Sequence, residues 1–290
     1  MVALTKRNLK LYFSNKMSVF FSMLGALIAF GLYIIFLQKN MQDSWSGTPH
    51  LEEVLDNWVI GGTLAITSIT TTWTGIVRLV HDRENHKLED FLLTDTSRFK
   101  VYLGYLMSAS IIGFTMQAFM FVVMKLYFHW QDKISLSASH LPQILGIMVL
   151  GSLLGASLAL LILQFVKSIE SSEALSTIVG TVSGFLVGVY MPLGALPNIA
   201  QIVVKITPAA YVAAAYRQVL INQDYLGKSE KAYLGIGLKL KELTTVNQEL
   251  LIISGVLVIN LSVLAMMLIV KEKEPRLPPA VFKGVPGAKP

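Results

Sequence analysis

The stretch from His81 to Lys100, HDRENHKLEDFLLTDTSRFK, carries nine charged side chains, yet it sits between two long runs, 58 to 80 and 101 to 128, that are nearly charge-free. Polar groups without partners are not tolerated in hydrocarbon, so the segment must lie outside a membrane and join two spans that cross it. Its own pattern is helical. Leu88, Phe91 and Leu92 fall at i, i+3 and i+4 and form one apolar stripe, with charges around the rest. A short helix held at a membrane surface is a handle on which another protein can push.

The rest of the chain fits that reading. Its 290 residues are 53% hydrophobic and 14% charged, against about 25% charge in a soluble domain, and the mean hydropathy is +0.59. Six apolar runs can be marked, at 17 to 37, 58 to 80, 101 to 128, 142 to 166, 175 to 191 and 250 to 270. All but the fifth reach the roughly 20 residues that a span needs; the fifth runs into Pro192. The pattern predicts an all-α, polytopic membrane protein with six transmembrane helices, whose single domain covers residues 17 to 270. Basic Lys6, Arg7, Lys10 and Lys16 precede the first run and imitate a secretory signal, but a cleavable core is only about 7 to 15 residues long, so this run is read as a retained span. Residues 1 to 16 form an amphipathic helix with Val2, Leu9 and Phe13 near one stripe, either lying along the membrane surface or serving only as a basic flank.

Basic residues in short flanks set the orientation. Lys6, Arg7, Lys10 and Lys16 precede the first span, whereas the loop 38 to 57 has Lys39 against Asp43, Glu52, Glu53 and Asp56. Arg78, Arg83, Lys87, Arg98 and Lys100 surround the charged segment, only Lys125 and Lys133 stand at the far end of the third span, and Lys271, Lys273, Arg276, Lys283 and Lys289 follow the sixth. Both termini and the charged segment are therefore expected in the cytoplasm of a multi-pass protein of the cell membrane, with the basic-containing stretch 192 to 249 outside. The net charge of +6 sits beside spans in contact with the lipid bilayer, which argues against a nucleic-acid partner. No cysteine is present, which excludes disulfide and thiol chemistry.

Between the fifth and sixth runs Pro192, Pro197 and Pro208 fall within seventeen positions of a mostly apolar stretch. Each breaks a continuing helix. Residues 192 to 222 therefore read as re-entrant helices dipping into the outer leaflet, or as an external loop with an interfacial helix. Residues 223 to 249 form a polar external loop with room for a short helix, and 271 to 290 a Pro/Gly-rich, disordered cytoplasmic tail.

The chemistry-bearing patterns are sparse. No G-x-x-x-x-G-K-[ST] and no G-x-S-x-G occurs, and His50, His81, His86, His129 and His140 show no ligand spacing. No Asp or Glu falls inside any of the six runs, whereas ion-driven transporters place carboxylates at midplane. If a solute moves, its energy must come from another chain. Thr67, Thr70, Thr71 and Thr74, with Thr63, Ser68 and Thr72, make the second run rich in hydroxyls, either as the wall of a translocation path or as packing groups; Gln117 and Gln164 share that ambiguity. Gly151 and Gly155, and Gly180, Gly184 and Gly188, have the spacing of close helix approach.

Two motifs together carry a resemblance. Arg83-Glu84, followed by Leu88-Glu89-x-Phe91-Leu92-Leu93-Thr94 and Ser97, is similar to the cytoplasmic segment between spans two and three of ABC-2 type transporter permeases, the membrane subunits of bacterial ABC exporters. Leu196-Pro197, then Pro208, Tyr211 and Arg217, resembles that family's stretch between spans five and six. His86-Lys87 and Asp95 stand where the family often carries Gly-Thr and Pro. The resemblance implies that 81 to 100 is a coupling helix through which Arg83, Glu84, Leu88, Glu89, Phe91 and Leu92 contact a cytoplasmic ABC ATPase subunit. It places ATP and Mg on that partner with no cofactor, metal or catalytic residue on this chain, and implies a second membrane subunit in a homodimer or heterodimer. Charge-poor spans tilt the expected cargo toward an amphipathic or lipid-like molecule such as a drug, a peptide or a lipid-linked compound. The alternative reading of the same features is a non-transporting scaffold or sensor that recruits a partner through 81 to 100.

Overall fold

The computed structural model describes residues 1–45, 49–93, 96–132 and 140–273. Thr94, Asp95, Lys133 and the tail from 274 onward therefore lie outside the described residues. Among the described residues the chain is helical, with a lone bridge between Lys239 and Leu243 in place of any strand. The order is α1 (Val2–Ser14), α2 (Lys16–Leu32), α3 (Gln38–Ser44), α4 (Leu51–Glu84), α5 (Lys87–Leu93), α6 (Arg98–Asp132), α7 (Leu141–Leu163), α8 (Ile169–Leu186), α9 (Asn198–Ile206), α10 (Pro208–Leu220), α11 (Lys228–Leu234) and α12 (Val246–Lys273). A π turn, Tyr33–Leu37, joins α2 to α3, so that Lys16–Asp43 runs as one apolar rod of 28 residues.

Four helical rods are long and apolar enough to cross a bilayer: Lys16–Asp43, Arg98–Asp132, Leu141–Leu163 and Val246–Val270, with a fifth if α9 and α10 count as one broken span. Their surface is inverted relative to a soluble protein. Phe20, Phe21, Ile28 and Phe36 of the first rod, Phe119 and Val122 of α6, and Leu251, Val258 and Ile259 of α12 are all exposed, an apolar area far beyond what a soluble monomer shows to water. The remaining two expected spans are less apolar for opposite reasons. At 18 residues, α8 is about 27 Å long; it begins with Glu170 and Glu173 and ends before Gly188, which takes a φ of +66°. The 34-residue α4 is the axle of the bundle: α2, α6, α7, α8 and α10 all pack on it, and most of its side chains from Val54 to Val80 are buried. A helix surrounded by protein need not be apolar all round, so its hydroxyls are admitted.

The breaks fall where the prolines require. Pro192 precedes a single 3-10 turn (Leu193–Ala195), Pro197 precedes the first residue of α9, and Pro208 opens α10. At such positions the missing N–H costs nothing and the fixed φ favours a helix start. α9 and α10 meet at 88°. Every residue from Ala209 to Arg217 in α10 is buried, against α4, α7 and α12, whereas Ile199, Ile202 and Ile206 of α9 are exposed. The polar stretch that follows holds α11, closed by Gly235 at φ +68°.

Two readings of local register change. The protein-facing stripe of α1 is Leu4, Asn8 and Tyr12, with Leu9 alongside, while Val2 and Phe13 point away. α4 also extends seven residues before its apolar run and four beyond it.

Candidate functional site

Arg83 and Glu84 complete the last turn of α4 and join three helix ends. The Arg83 guanidinium donates to the carbonyls of Val166 (2.7 Å) and Leu163 (3.5 Å) just past the C-terminus of α7, and to the Tyr102 hydroxyl (3.2 Å). Glu84 accepts the N–H of Ile169, the first residue of α8, at 2.5 Å. The cation thus meets orphan carbonyls at one helix end and the carboxylate meets orphan amides at the next start, each on the side that the helix dipole favours. Two adjacent residues therefore splice the α7–α8 junction onto α4.

α5 follows after His86, which sits at φ +58°. Its stripe points inward. Leu88 is 7% exposed and belongs to the apolar cluster of Tyr102, Tyr105, Leu264 and Leu268, with Phe91 and Leu92 half-buried against it. Lys87, Glu89, Asp90 and Leu93 point outward, Leu93 being 79% exposed. The partition differs from a helix whose apolar stripe is held for a partner: Leu88, Phe91 and Leu92 fasten α5 to its own bundle, because that stripe is also the one that seals the end of the core. Of the expected contact residues, Glu84 and Glu89 remain on the exposed side, with Arg83 committed to the splice.

Asp82, one residue upstream, was not legible as a site residue. Fully buried, it accepts two bonds from Arg7 (2.7 and 2.9 Å), one from the Tyr105 hydroxyl (2.7 Å) and a contact from Arg78 one turn back (2.8 Å). Arg7 also lies 5.2 Å over the Phe91 ring. The hydrogen bond to Asp82 holds the Arg7 guanidinium above its usual pKa, so it stays charged at any physiological pH. α1 is thereby tied to α4, α5 and α6 at one point, reinforced by Thr5 donating to the Gly104 carbonyl (3.3 Å) and Asn8 to the Ser108 hydroxyl (3.4 Å).

A second clasp closes the other end of α4. Arg217 of α10, 2% exposed, donates to the carbonyls of Gly188 (2.9 Å), Trp58 (3.3 Å) and Leu234 (3.4 Å), and its guanidinium lies 4.8 Å over the Trp58 ring. The Trp58 indole N–H donates to the same Leu234 carbonyl at 2.6 Å. Gly61 and Gly62 make the room: a Cβ at Gly62 would come within 2.7 Å of Val189 and 2.8 Å of the guanidinium. Tyr211 donates to the Lys205 carbonyl at 2.8 Å, securing the elbow between α9 and α10. Of the expected residues, Pro192, Pro197 and Pro208 mark helix starts, Tyr211 holds the elbow and Arg217 the clasp. Twenty-one residues of α4 separate Gly62 from Arg83, about 32 Å at 1.5 Å per residue.

The hydroxyls of α4 turn to their own helix. Thr67, Thr70, Thr71, Thr72 and Thr74 donate to carbonyls four residues back, at 2.6 to 3.1 Å. Thr67 and Thr71 are wholly buried within the chain, so neither lines an open path here; Thr70 is 8% exposed and Thr74 half-buried. Small residues meet them across the packing seams, Gly113 and Gly155 against Thr72 and Gly151 against Ser68. Gln117 is a cross-link, donating to Ser152 (2.7 Å) and accepting from Tyr216 (2.7 Å), which pins α6, α7 and α10.

Apolar rods with an apolar exterior, spliced at one end and clasped at the other, define a polytopic integral membrane protein. Residues 52–271 match the model of the family described as ABC-2 family transporter protein, and the chain belongs to that family. It is therefore the membrane permease of an ABC transporter, a transport subunit that works with an ATPase subunit and with a second membrane subunit. A comparison with curated proteins gave no match. The two motifs around Arg83 and Arg217 thus pointed to the right family.

Proposed function

We propose that the chain is the permease of an ABC exporter with six spans (α2 with α3, α4, α6, α7, α8 and α12), both termini in the cytoplasm, α1 along the inner surface, and α9 with α10 dipping into the outer leaflet. ATP-driven movement of the partner enters at α5 and reaches the spans, and the cargo is an amphipathic or lipid-like molecule. The observation that carries the reading is the arrangement at the end of α4: α5 is fastened inward by Leu88 while presenting Glu89, Asp90 and Leu93 outward, and the turn just before it splices α4 to α7 and α8. A push on α5 therefore has a route into three spans. A few desolvated apolar anchors ringed by charge commonly dominate an interface, and Leu93 between Glu89 and Asp90 has that form. The test is Asp90→Lys with Leu93→Asp in the reconstituted complex. The double variant is expected to insert and fold normally yet lose at least about tenfold of substrate-stimulated ATPase activity, the equivalent of about 1.4 kcal/mol of contact. Wild-type coupling in that variant would overturn the assignment of α5 as the entry point.

A further inference from the structure

A cavity of about 380 Å³ opens beside the splice. Three cations line it, Arg83 from the end of α4, Arg98 from the start of α6 and Lys167 from the α7–α8 turn, and no carboxylate lines it among the described residues. Its floor is apolar, made by Leu88 and Leu92 of α5 and by Leu268 of α12. In the same wall Gln164 is 3% exposed, and its amide oxygen has no hydrogen-bond partner. The level matters: α7 has just ended, α6 is just beginning and α12 is within two turns of its end, so the cavity sits where apolar helices give way to charge. That is the headgroup level of a membrane.

We infer that this cavity holds the headgroup of an anionic membrane lipid, a phosphate ester, with an acyl chain leaving along α12. Arg98 and Lys167 face the phosphate. Phe165 of the same lining is 61% exposed, and Ile269, next in sequence to Leu268, is 55% exposed, so apolar surface for a tail stands beside the cavity. A soluble anion would leave that floor unused, and an acidic peptide would have to bury its backbone amides there without partners. The occupant touches Arg83, Leu88 and Leu92 together, so it sits between α5 and the splice.

The test uses the full-length chain in phosphatidylcholine nanodiscs, titrated with dioctanoyl phosphatidylglycerol, dioctanoyl phosphatidylcholine and inorganic phosphate, with bound lipid counted by native mass spectrometry. One phosphatidylglycerol per chain is expected to be retained, the choline lipid is not, and inorganic phosphate competes only at far higher concentration. Arg98→Gln with Lys167→Gln is expected to weaken phosphatidylglycerol about thirtyfold, and Lys167→Gln alone about fivefold, at roughly 1 kcal/mol for each cation at a membrane surface. Lys167 is exposed and outside the splice, so the single variant keeps the test open if the double one fails to fold. Equal retention of both lipids, or binding unchanged in the variants, would show an unspecific lipid belt and overturn the inference. Competition by inorganic phosphate at matching concentration would assign the site to a soluble anion instead. Loss of ATPase-subunit binding in the variants with lipid retention intact would assign the cations to the partner. The readout needs no transport activity, so it stands apart from the exporter assignment.

Discussion

Asp82 shows how one side chain can govern an end of the bundle. It is wholly buried and holds Arg7, Arg78 and Tyr105 at 2.7 to 2.9 Å, so Asp82→Asn leaves two guanidinium groups facing a neutral amide. Both arginines keep about 29% of their side-chain exposure and can partly rehydrate, which limits the loss to about 2–3 kcal/mol. Thermal unfolding of the purified chain is expected to shift down by about 5–10 °C, at the few degrees per kcal/mol usual for this size. Glycines supply a paired test. A methyl group at Gly62 meets Val189 and Arg217 below 3 Å, whereas one at Gly31 meets nothing within 4 Å. Gly62→Ala is therefore expected to lower the unfolding temperature by several degrees. Gly31→Ala should leave it unchanged or slightly raise it, since alanine is better than glycine in a helix by about 1 kcal/mol. Equal behaviour of the two variants would mean that the Arg217 clasp does not need the gap at Gly62.

At the scale of the elements, α1 is the informative case. Its seat depends on the Arg7–Asp82 pair and on the Arg7–Phe91 contact, which link it to the element expected to meet the ATPase. Arg7→Gln keeps a polar side chain but removes both, so amide hydrogen exchange in residues 2–14 is expected to speed up by about tenfold to thirtyfold, one to two kcal/mol of local opening. Exchange in α7, which α1 does not hold, should stay as it is. The sequence made the helices and their breaks legible because hydrophobic runs and prolines act locally: Pro197 and Pro208 start helices wherever they fall. It did not make the inward stripe of α5 legible, since Leu88, Phe91 and Leu92 would look the same whether turned to a partner or to their own core. Asp56 and Glu249 read as loop charges and Asp82 as part of the solvent-facing charged segment, yet each is fully buried, because α4 and α12 carry their helices past the ends of the runs that announced them.

For the whole molecule, the absence of cysteine makes a measurement of orientation direct. Glu89→Cys on α5 and Ser229→Cys on α11 are both exposed positions. An impermeant maleimide added to intact cells is expected to label the second and spare the first; the reverse pattern would invert the topology. Substrate-stimulated ATPase activity of the reconstituted complex should respond to amphipathic compounds, and stimulation by small hydrophilic ions alone would contradict the charge-poor spans. The long central helix ties these scales together. At 34 residues it is a stiff rod of about 50 Å, gripped by Arg217 near one end and spliced to two neighbours at the other, with about 32 Å between the two attachments. In mechanical terms it is a lever arm with its fulcrum near Gly62. A tilt of only about 5° there would carry Arg83 through about 3 Å over that length, and the ends of α7 and α8 that it and Glu84 hold would be dragged with it. Small rotations near one end of α4 and ångström-scale displacements at the other are then one motion, with a gear ratio set by the number of residues between a glycine and an arginine.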